Sequence, residues 1–393
     1  MTTVLDPSPS QKTSLYWQSE EHVFGSGTDY FHALIEDINQ AQESINLETY
    51  IFDRDIVGKR IADALCLAGE RGVAIRVLVD GAGSPFWSAT LARRLEKSGV
   101  KTKVFHPFPW QLWNWSRAIA IKPALFKAIY LFFKSNSRNH RKTCLIDQKI
   151  GYVGSINITQ CHLTEEEGGK NWRDTAVRLN NINLSELKKA FEIAWSHRTI
   201  KERMRDAFQH IRKEPRLRLN YTRHRRRILH KNLLRRIRLS QRRIWITNAY
   251  FVPDNVLLKR LKEAVGNGVD VRILLPQKSN ITIVQWASST FYYNLLKAGI
   301  KIYEYSPSML HAKSLILDDW MLIGSSNLNH RSLLHDLEAD ITIFTEHAKK
   351  TLEQLFIKDL TYSKQLQFEH WKSVQPVHQR ILGRLALYLK YWI

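Results

Sequence analysis

Two kinds of apolar spacing alternate along the chain. Tyr30 to Gln42 is helix-like and runs directly into Ser44 to Phe52, a short apolar stretch of strand character. The same succession returns at Asn232 to Gln241, followed by Arg243 to Val252. Behind a Gly turn, Arg71 to Val79 and Asn267 to Leu275 both show β-branched alternation, which predicts a strand after a helix. Ser98 to Phe105 and Ala298 to Tyr305 repeat that unit, and His140 to Asn157 matches His311 to Asn327. Self-similarity of this extent predicts an α/β fold made of two βαβ-type halves, each with a mostly buried sheet. The expected division is an N-terminal extension (1–22), a first half (23–200), a basic linker (201–230), a second half (231–360) and an amphipathic tail (361–393).

The halves differ in one place. Met309 stands two residues before His311, whereas Phe108 is 32 residues before His140, so the first half carries an insertion over roughly 109–138. It contains Trp110, Trp113, Trp115 and the apolar run Ala118 to Phe133, broken by Lys122, Pro123 and Lys127. A basic, Trp-bearing amphipathic segment is the pattern of an interfacial helix, although a helix covering the core has the same periodicity. The tail, Gln379 to Ile393, offers the same two readings and ends near Tyr391 and Trp392.

Composition narrows the partners. The 393 residues are 44% hydrophobic and only 17 are Gly, which excludes a disordered or collagen-like chain. The net charge of +22 predicts a polyanionic partner, either nucleic acid or an anionic membrane surface. Most of it lies in Lys201 to Arg243, where 17 Lys or Arg face only Glu202, Asp206 and Glu214; a solvated face is the simpler reading of such a run. Three cysteines, Cys66, Cys144 and Cys161, make no disulfide framework and fit a reducing compartment. Met1 to Trp17 lacks the pattern of a signal peptide, and no stretch is apolar and uncharged long enough to span a bilayer. Membrane contact is expected to be peripheral.

The chemistry is concentrated in a duplicated motif. His140 and Lys142 are two apart on a predicted strand, so both project from one face; Asp147 marks a turn, and Gly154, Ser155 and Asn157 follow. His311, Lys313, Asp318, Gly324, Ser325 and Asn327 repeat the pattern. A lone histidine is usually structural, but two full copies in the same βαβ context are not plausibly chance. The chain has neither a phosphate-binding Gly-rich loop with Lys-Ser/Thr nor a cluster with zinc spacing, so no metal or cofactor is expected. Two His, two Lys and two Asn suit a phosphate diester. The Lys and Asn donors would hold the non-bridging oxygens, one imidazole would attack phosphorus, and the other would protonate the leaving alkoxide.

These residues resemble the phospholipase D superfamily, whose mark is H-x-K-x(4)-D followed by G-S-x-N, twice. Glu48 to Phe52, Asn139 to Lys142, Trp172 to Asp174, Tyr250 to Asp254 and Met309 to Lys313 are similar to its bacterial cardiolipin synthase branch, in the form without N-terminal transmembrane helices. The resemblance extends from about Phe24 to about Glu353, with Cys144 at a usually aliphatic position. It implies pseudo-twofold α/β/α halves with the site between them, a phosphohistidine intermediate and metal-independent turnover. It also implies His140 as nucleophile and His311 as acid, then base. Lys142, Lys313, Asn157 and Asn327 would bind phosphate, with Ser155 and Ser325 lining it, and Asp174 and Glu338 would orient the imidazoles. Asp147 and Asp318 complete the catalytic motif but fall on the opposite strand face, where fixing the hairpin is the expected role.

The activity so implied is phosphatidyl transfer from phosphatidylglycerol to a second phospholipid alcohol, making cardiolipin on the cytoplasmic face of the bacterial inner membrane. Phospholipase D hydrolysis is the alternative, and a nucleic-acid phosphodiesterase is less favoured because the basic excess accompanies long apolar segments. The acceptor and the oligomeric state stay open.

Overall fold

The computed structural model describes residues 20–119, 124–196, 215–369, 371 and 377–388. Residues 1–19 of the expected extension, Lys122 and Pro123 of the insertion, Lys201 to Glu214 of the basic stretch, and Tyr391 and Trp392 of the tail lie outside the described residues. Glu21 and His22, expected in the extension, belong to the first strand.

The first half contains β1 (Glu21–Phe24), α1 (Gly27–Gln40), β2 (Ser44–Thr49), α2 (Ile56–Glu70), β3 (Ala74–Asp80), α3 (Leu91–Lys97), β4 (Lys101–Phe105), α4 (Ala124–Lys134), β5 (Thr143–Ile146), β6 (Ile150–Gly154), β7 (Ala176–Leu179) and α5 (Ser185–Trp195). The second contains β8 (Leu217–Leu219), α6 (Arg223–Leu239), β9 (Arg243–Thr247), α7 (Asn255–Gly266), β10 (Asp270–Pro276), α8 (Thr282–Lys297), β11 (Lys301–Tyr305), β12 (Ser314–Leu317), β13 (Trp320–Gly324), α9 (His330–Leu334), β14 (Ala339–Ile343), α10 (Glu346–Thr361), β15 (Ser363–Gln365) and α11 (Val377–Tyr388).

Strand order makes the repeat concrete. The first sheet runs β1-β7-β6-β5-β2-β3-β4, and the second runs β8-β14-β13-β12-β9-β10-β11 with β15 added at its edge. Parallel β2–β3–β4 and β9–β10–β11 are joined by helical crossovers, and the motif hairpins β5–β6 and β12–β13 are antiparallel. Equivalent helices are capped alike. Asp55 accepts the Gly58 N–H at the start of α2, and Asp254 accepts the Leu257 N–H at the start of α7.

The two sheets share one core. Leu145, Val153, Val177 and Leu179 of the first half pack with Ile316, Ile323, Ile341 and Ile343 of the second, while separate cores lie under the outer helices. The motif hairpins are thus central, with apolar residues on both faces.

The basic stretch departs from expectation. Residues 215–230, expected in a linker, are built into the second half. Leu217 and Leu219 are buried on β8, which pairs with β14, and Leu229, Leu233 and Ile237 recur one turn apart on the buried face of α6. Helical apolar spacing within the charge run, rather than net charge, decided the local structure. Arg218 and Arg225 are themselves buried; Arg225 bonds the Leu219 carbonyl and the Tyr221 hydroxyl.

Candidate active site

Hairpin geometry places the motif residues. Asp147 closes the β5–β6 turn with φ of 49°, a left-handed conformation that Asp tolerates. Its carboxylate accepts the N–H groups of Gln42, Glu43 and Ser44 at 2.8–2.9 Å. Asp318 accepts those of Gln241, Arg242 and Arg243 in the same way. Neither lines the cavity that holds the histidines. The two aspartates therefore fix each hairpin to the start of the neighbouring strand, and the catalytic place in the motif does not extend to them.

At the other end of the hairpins, His140 and His311 line one cavity of about 230 Å³ together with Asn157 and Asn327. Main-chain bonds bring them there across the two halves. The His140 N–H donates to the Leu337 carbonyl at 2.9 Å, and the His311 N–H to the Arg173 carbonyl at 2.8 Å. Each histidine is thereby set beside the carboxylate of the opposite half. His140 Nδ1 lies 3.1 Å from both Glu338 oxygens, and His311 Nδ1 lies 3.0 Å from Asp174 Oδ1. A neutral ring donating from Nδ1 keeps its lone pair on Nε2, the nitrogen needed for attack or proton transfer. The crossing of partners was not legible in sequence, because linear spacing says nothing about which half supplies the partner.

The lysines, expected to bind phosphate, stand behind the rings and do not themselves line the cavity. Lys142 Nζ donates to its own strand's His140 carbonyl at 2.6 Å, and Lys313 does the same to His311. Burial lowers the proton affinity of both ammonium groups, to about 8 for Lys142 and about 7 for Lys313. Burial, followed by the lysine charges, depresses the imidazoles, His311 to about 3. A pocket of this kind favours an anion: the charge of a phosphate diester between the rings raises the proton affinity of the lysines and of the imidazole that acts as acid, while the attacking imidazole stays neutral.

The serines take a different place from the one expected. Ser155 and Ser325 are fully buried and do not line the cavity. Ser155 donates to the Thr175 carbonyl at 3.0 Å, and Ser325 donates to Glu338 while its carbonyl lies 3.2 Å from His140 Nδ1. A hydroxyl following Gly154 or Gly324 turns toward the start of the neighbouring strand and braces the strand pair beside the carboxylates.

Several lining residues lie outside the duplicated motif and were given no role by it. Tyr50 and Tyr250 stand at the ends of the equivalent strands β2 and β9, each edge-on to its motif histidine at 5.2 and 5.9 Å between centroids and under the lysine at 5.3 and 5.8 Å. Their matching positions in Glu48 to Phe52 and Asn248 to Val252 were the available sign. Trp172, Arg138, Arg331 and Asp336 also face the cavity, with Ile51, Ile281 and Val284 forming an apolar rim.

Around the site, the insertion leaves its apolar face uncovered. On α4, Leu131 is buried, whereas Phe126, Ile129, Phe132 and Phe133 are exposed, Phe133 by 79%. Trp110 and Trp113 are exposed nearby, stacked on Phe108 and Phe86. On α11, Gly383 and Ala386 sit against α8, and Ile381, Leu382, Leu385 and Tyr388 face outward. No helix among the described residues is long and apolar enough to cross a membrane.

A family model described as cardiolipin synthase, PLD-like domain, matches residues 34–211 and 233–360. Cardiolipin synthase from Clostridium perfringens is 28% identical over 373 residues, covering 92% of this chain and 74% of that protein. Cardiolipin synthase from a Geobacillus species is 30% identical over 390 residues, covering 95% and 72%. Among solved structures, phosphatidylserine synthase from Haemophilus influenzae superposes with a TM-score of 0.68 at 14% identity, covering 97% of this chain and all of that one. Polyphosphate kinase from Porphyromonas gingivalis shares the fold at a TM-score of 0.58 and 14% identity, covering 98% and 57%.

Proposed function

The chain belongs to the phospholipase D-like family of cardiolipin synthases, and on that premise we propose that it transfers a phosphatidyl group from phosphatidylglycerol to the hydroxyl of a second phospholipid. The observation that carries the reading is the pair of imidazoles, one from each half, held by Nδ1 on opposite carboxylates and lining a single cavity.

In the first step His140 Nε2 attacks phosphorus, the P–O bond to glycerol breaks, and the departing alkoxide takes the proton carried by His311. The products are free glycerol, neutral His311 and phosphatidyl-His140. In the second step His311 removes the hydroxyl proton of the incoming phosphatidylglycerol; its oxygen attacks phosphorus, the P–N bond breaks, and His140 leaves as neutral imidazole with cardiolipin. The Lys142, Lys313, Asn157 and Asn327 donors stabilise the oxygens that carry charge in both steps. Transfer rather than hydrolysis needs an interior that admits a lipid alcohol and discourages water, which the rim of Ile51, Trp172, Ile281 and Val284 supports. Purified protein mixed with phosphatidylglycerol vesicles is expected to yield cardiolipin and glycerol in equal amounts. Phosphatidic acid as the sole lipid product would make the protein a hydrolase instead.

The uncovered faces of α4 and α11 support a peripheral seat on the cytoplasmic leaflet, with basic residues adding attraction to anionic headgroups. Replacing both Phe132 and Phe133 with Asp is expected to weaken vesicle binding at least about tenfold without lowering the melting temperature. Unchanged co-sedimentation with anionic vesicles would remove α4 from the membrane contact.

A further inference from the structure

The two carboxylates that hold the catalytic imidazoles are not themselves held alike. In the second half, Ser332 Oγ accepts the Asn327 N–H at 3.2 Å and donates to Glu338 Oε1 at 2.6 Å. In the first half, the same position relative to the motif asparagine is occupied by His162. Its Nε2 accepts the Asn157 N–H at 3.3 Å, and its Nδ1 stands 3.1 Å from Asp174 Oδ2. Repeat symmetry thus puts a hydroxyl behind one carboxylate and a second imidazole behind the other. The residue types differ between the halves, so the repeat gave no sign of it.

We propose that His162 is a positioning residue for the proton-transfer side of the site: its Nδ1–H engages Asp174 and so governs how strongly that carboxylate holds the proton on His311. The inference rests on the reading of His311 as the group that gives and takes the proton.

The geometry fixes the direction of the effect. The Asn157 amide proton aimed at Nε2 makes Nδ1 the protonated nitrogen of His162. Burial opposes a charge on this ring and Asp174 favours it; the Asn157 N–H facing Nε2 leaves no place for a second ring proton, so the ring is read as neutral with its one proton on Nδ1. Burial would raise the Asp174 carboxyl; His311 and His162, by charge and hydrogen bond, hold it well below the usual range. Glu338, with serine hydroxyls in place of a second imidazole, is instead raised by burial to about 7, with Lys142 the largest opposing influence. The other groups facing the assembly are Lys313 and Lys142, whose charges act on His311, the Cys161 thiol against His162, and the Tyr250 phenol near Asp174. Trp172 packs against both His162 and His311, and Phe31 closes the far side of His162.

Asp174 therefore divides its charge between the His311 Nδ1–H, which it accepts as a hydrogen bond, and the His162 Nδ1–H, which stands 3.1 Å away but off the hydrogen-bond line. Taking away the one on His162 leaves the full charge to His311, which stabilises the imidazolium and weakens it as an acid. The nucleophile's own carboxylate is untouched.

The test compares His162→Phe, which keeps a buried ring but removes the donor, with His162→Asn, which restores an N–H where Nδ1 stood. Both lose the acceptor for Asn157, so any difference reports the Asp174 contact alone. Glycerol release from phosphatidylglycerol vesicles is followed against pH, and the titration of His311 is followed by nitrogen-labelled histidine NMR with phosphate bound. His162→Phe is expected to move the alkaline limb of kcat/KM and the His311 titration upward by about 0.5–1 pH unit and to reduce kcat about tenfold, with His162→Asn returning both toward wild type. Should the Phe variant not fold, His162→Ala removes the donor without added bulk. A limb and a titration that stay at their wild-type positions, or that move equally in the Phe and Asn variants, overturn the proposal. A wild-type protein that releases no glycerol refutes the phosphatidyl-transfer reading, while the His311 titration still decides the role of His162.

Discussion

His140→Ala and His311→Ala are each expected to abolish cardiolipin formation, and to do so at different steps. The attacking atom has no replacement in the cavity, since Lys142 and Lys313 are turned to main-chain carbonyls. Loss of His140 is therefore expected to lower kcat by at least about 10⁴ whatever the substrate. His311 contributes a proton rather than a bond, so its loss costs about 10²–10⁴ with phosphatidylglycerol. That deficit depends on the leaving group. With a nitrophenyl phosphatidyl ester, whose phenolate departs without a proton, His311→Ala is expected to release one equivalent of nitrophenol and then stall, because no base remains for the acceptor. His140→Ala is expected to release none. Equal bursts from the two variants would contradict the assignment of roles.

The second large effect concerns carboxylates on the far side of the pseudo-twofold. Glu338 lies 198 residues from His140 and Asp174 lies 137 residues before His311, yet each touches its partner's Nδ1. An amide in place of either carboxylate can turn its NH₂ toward Nδ1 and stabilise the wrong tautomer, an effect of about 10²–10³ in rate. Glu338→Gln is expected to suppress nitrophenol release as well as transfer, because it disables the nucleophile. Asp174→Asn is expected to keep the burst and lose the second step. Glu338→Gln added to His140→Ala, and Asp174→Asn added to His311→Ala, are expected to cost little beyond the histidine change alone. Additive losses would mean that the carboxylates act on something other than those rings.

Much of this was legible in sequence because the repeat was. Alternating runs behind Gly72, Gly99, Gly268 and Gly299 marked the parallel strands, and the identical strand order of the two sheets follows from them. His140, His311, Asn157 and Asn327 share a cavity as the motif spacing implied, and Asp147 and Asp318 sit at hairpin turns as their strand parity implied. What could not be read were relations between halves. Nothing linear distinguishes Glu338 serving His140 from Glu338 serving His311. Ser155 and Ser325 share the strand segment of the site residues, but their hydroxyls are drawn away from the cavity by Thr175 and Glu338. The basic run misled in another way: Arg218 and Arg225 contribute to its charge while being buried among carbonyls and aromatic rings, so composition overstated the free cationic surface.

The most direct measurement is the chemistry of the covalent species itself. Wild-type protein is mixed briefly with phosphatidylglycerol labelled in its phosphate, quenched in alkali and digested, and the labelled peptide is sequenced by mass spectrometry. A phosphatidyl group bonded to a nitrogen of His140, stable to alkali and lost in acid, is the predicted result. Label carried on His311, on an oxygen ester, or on no peptide at all while cardiolipin is still being formed would contradict it.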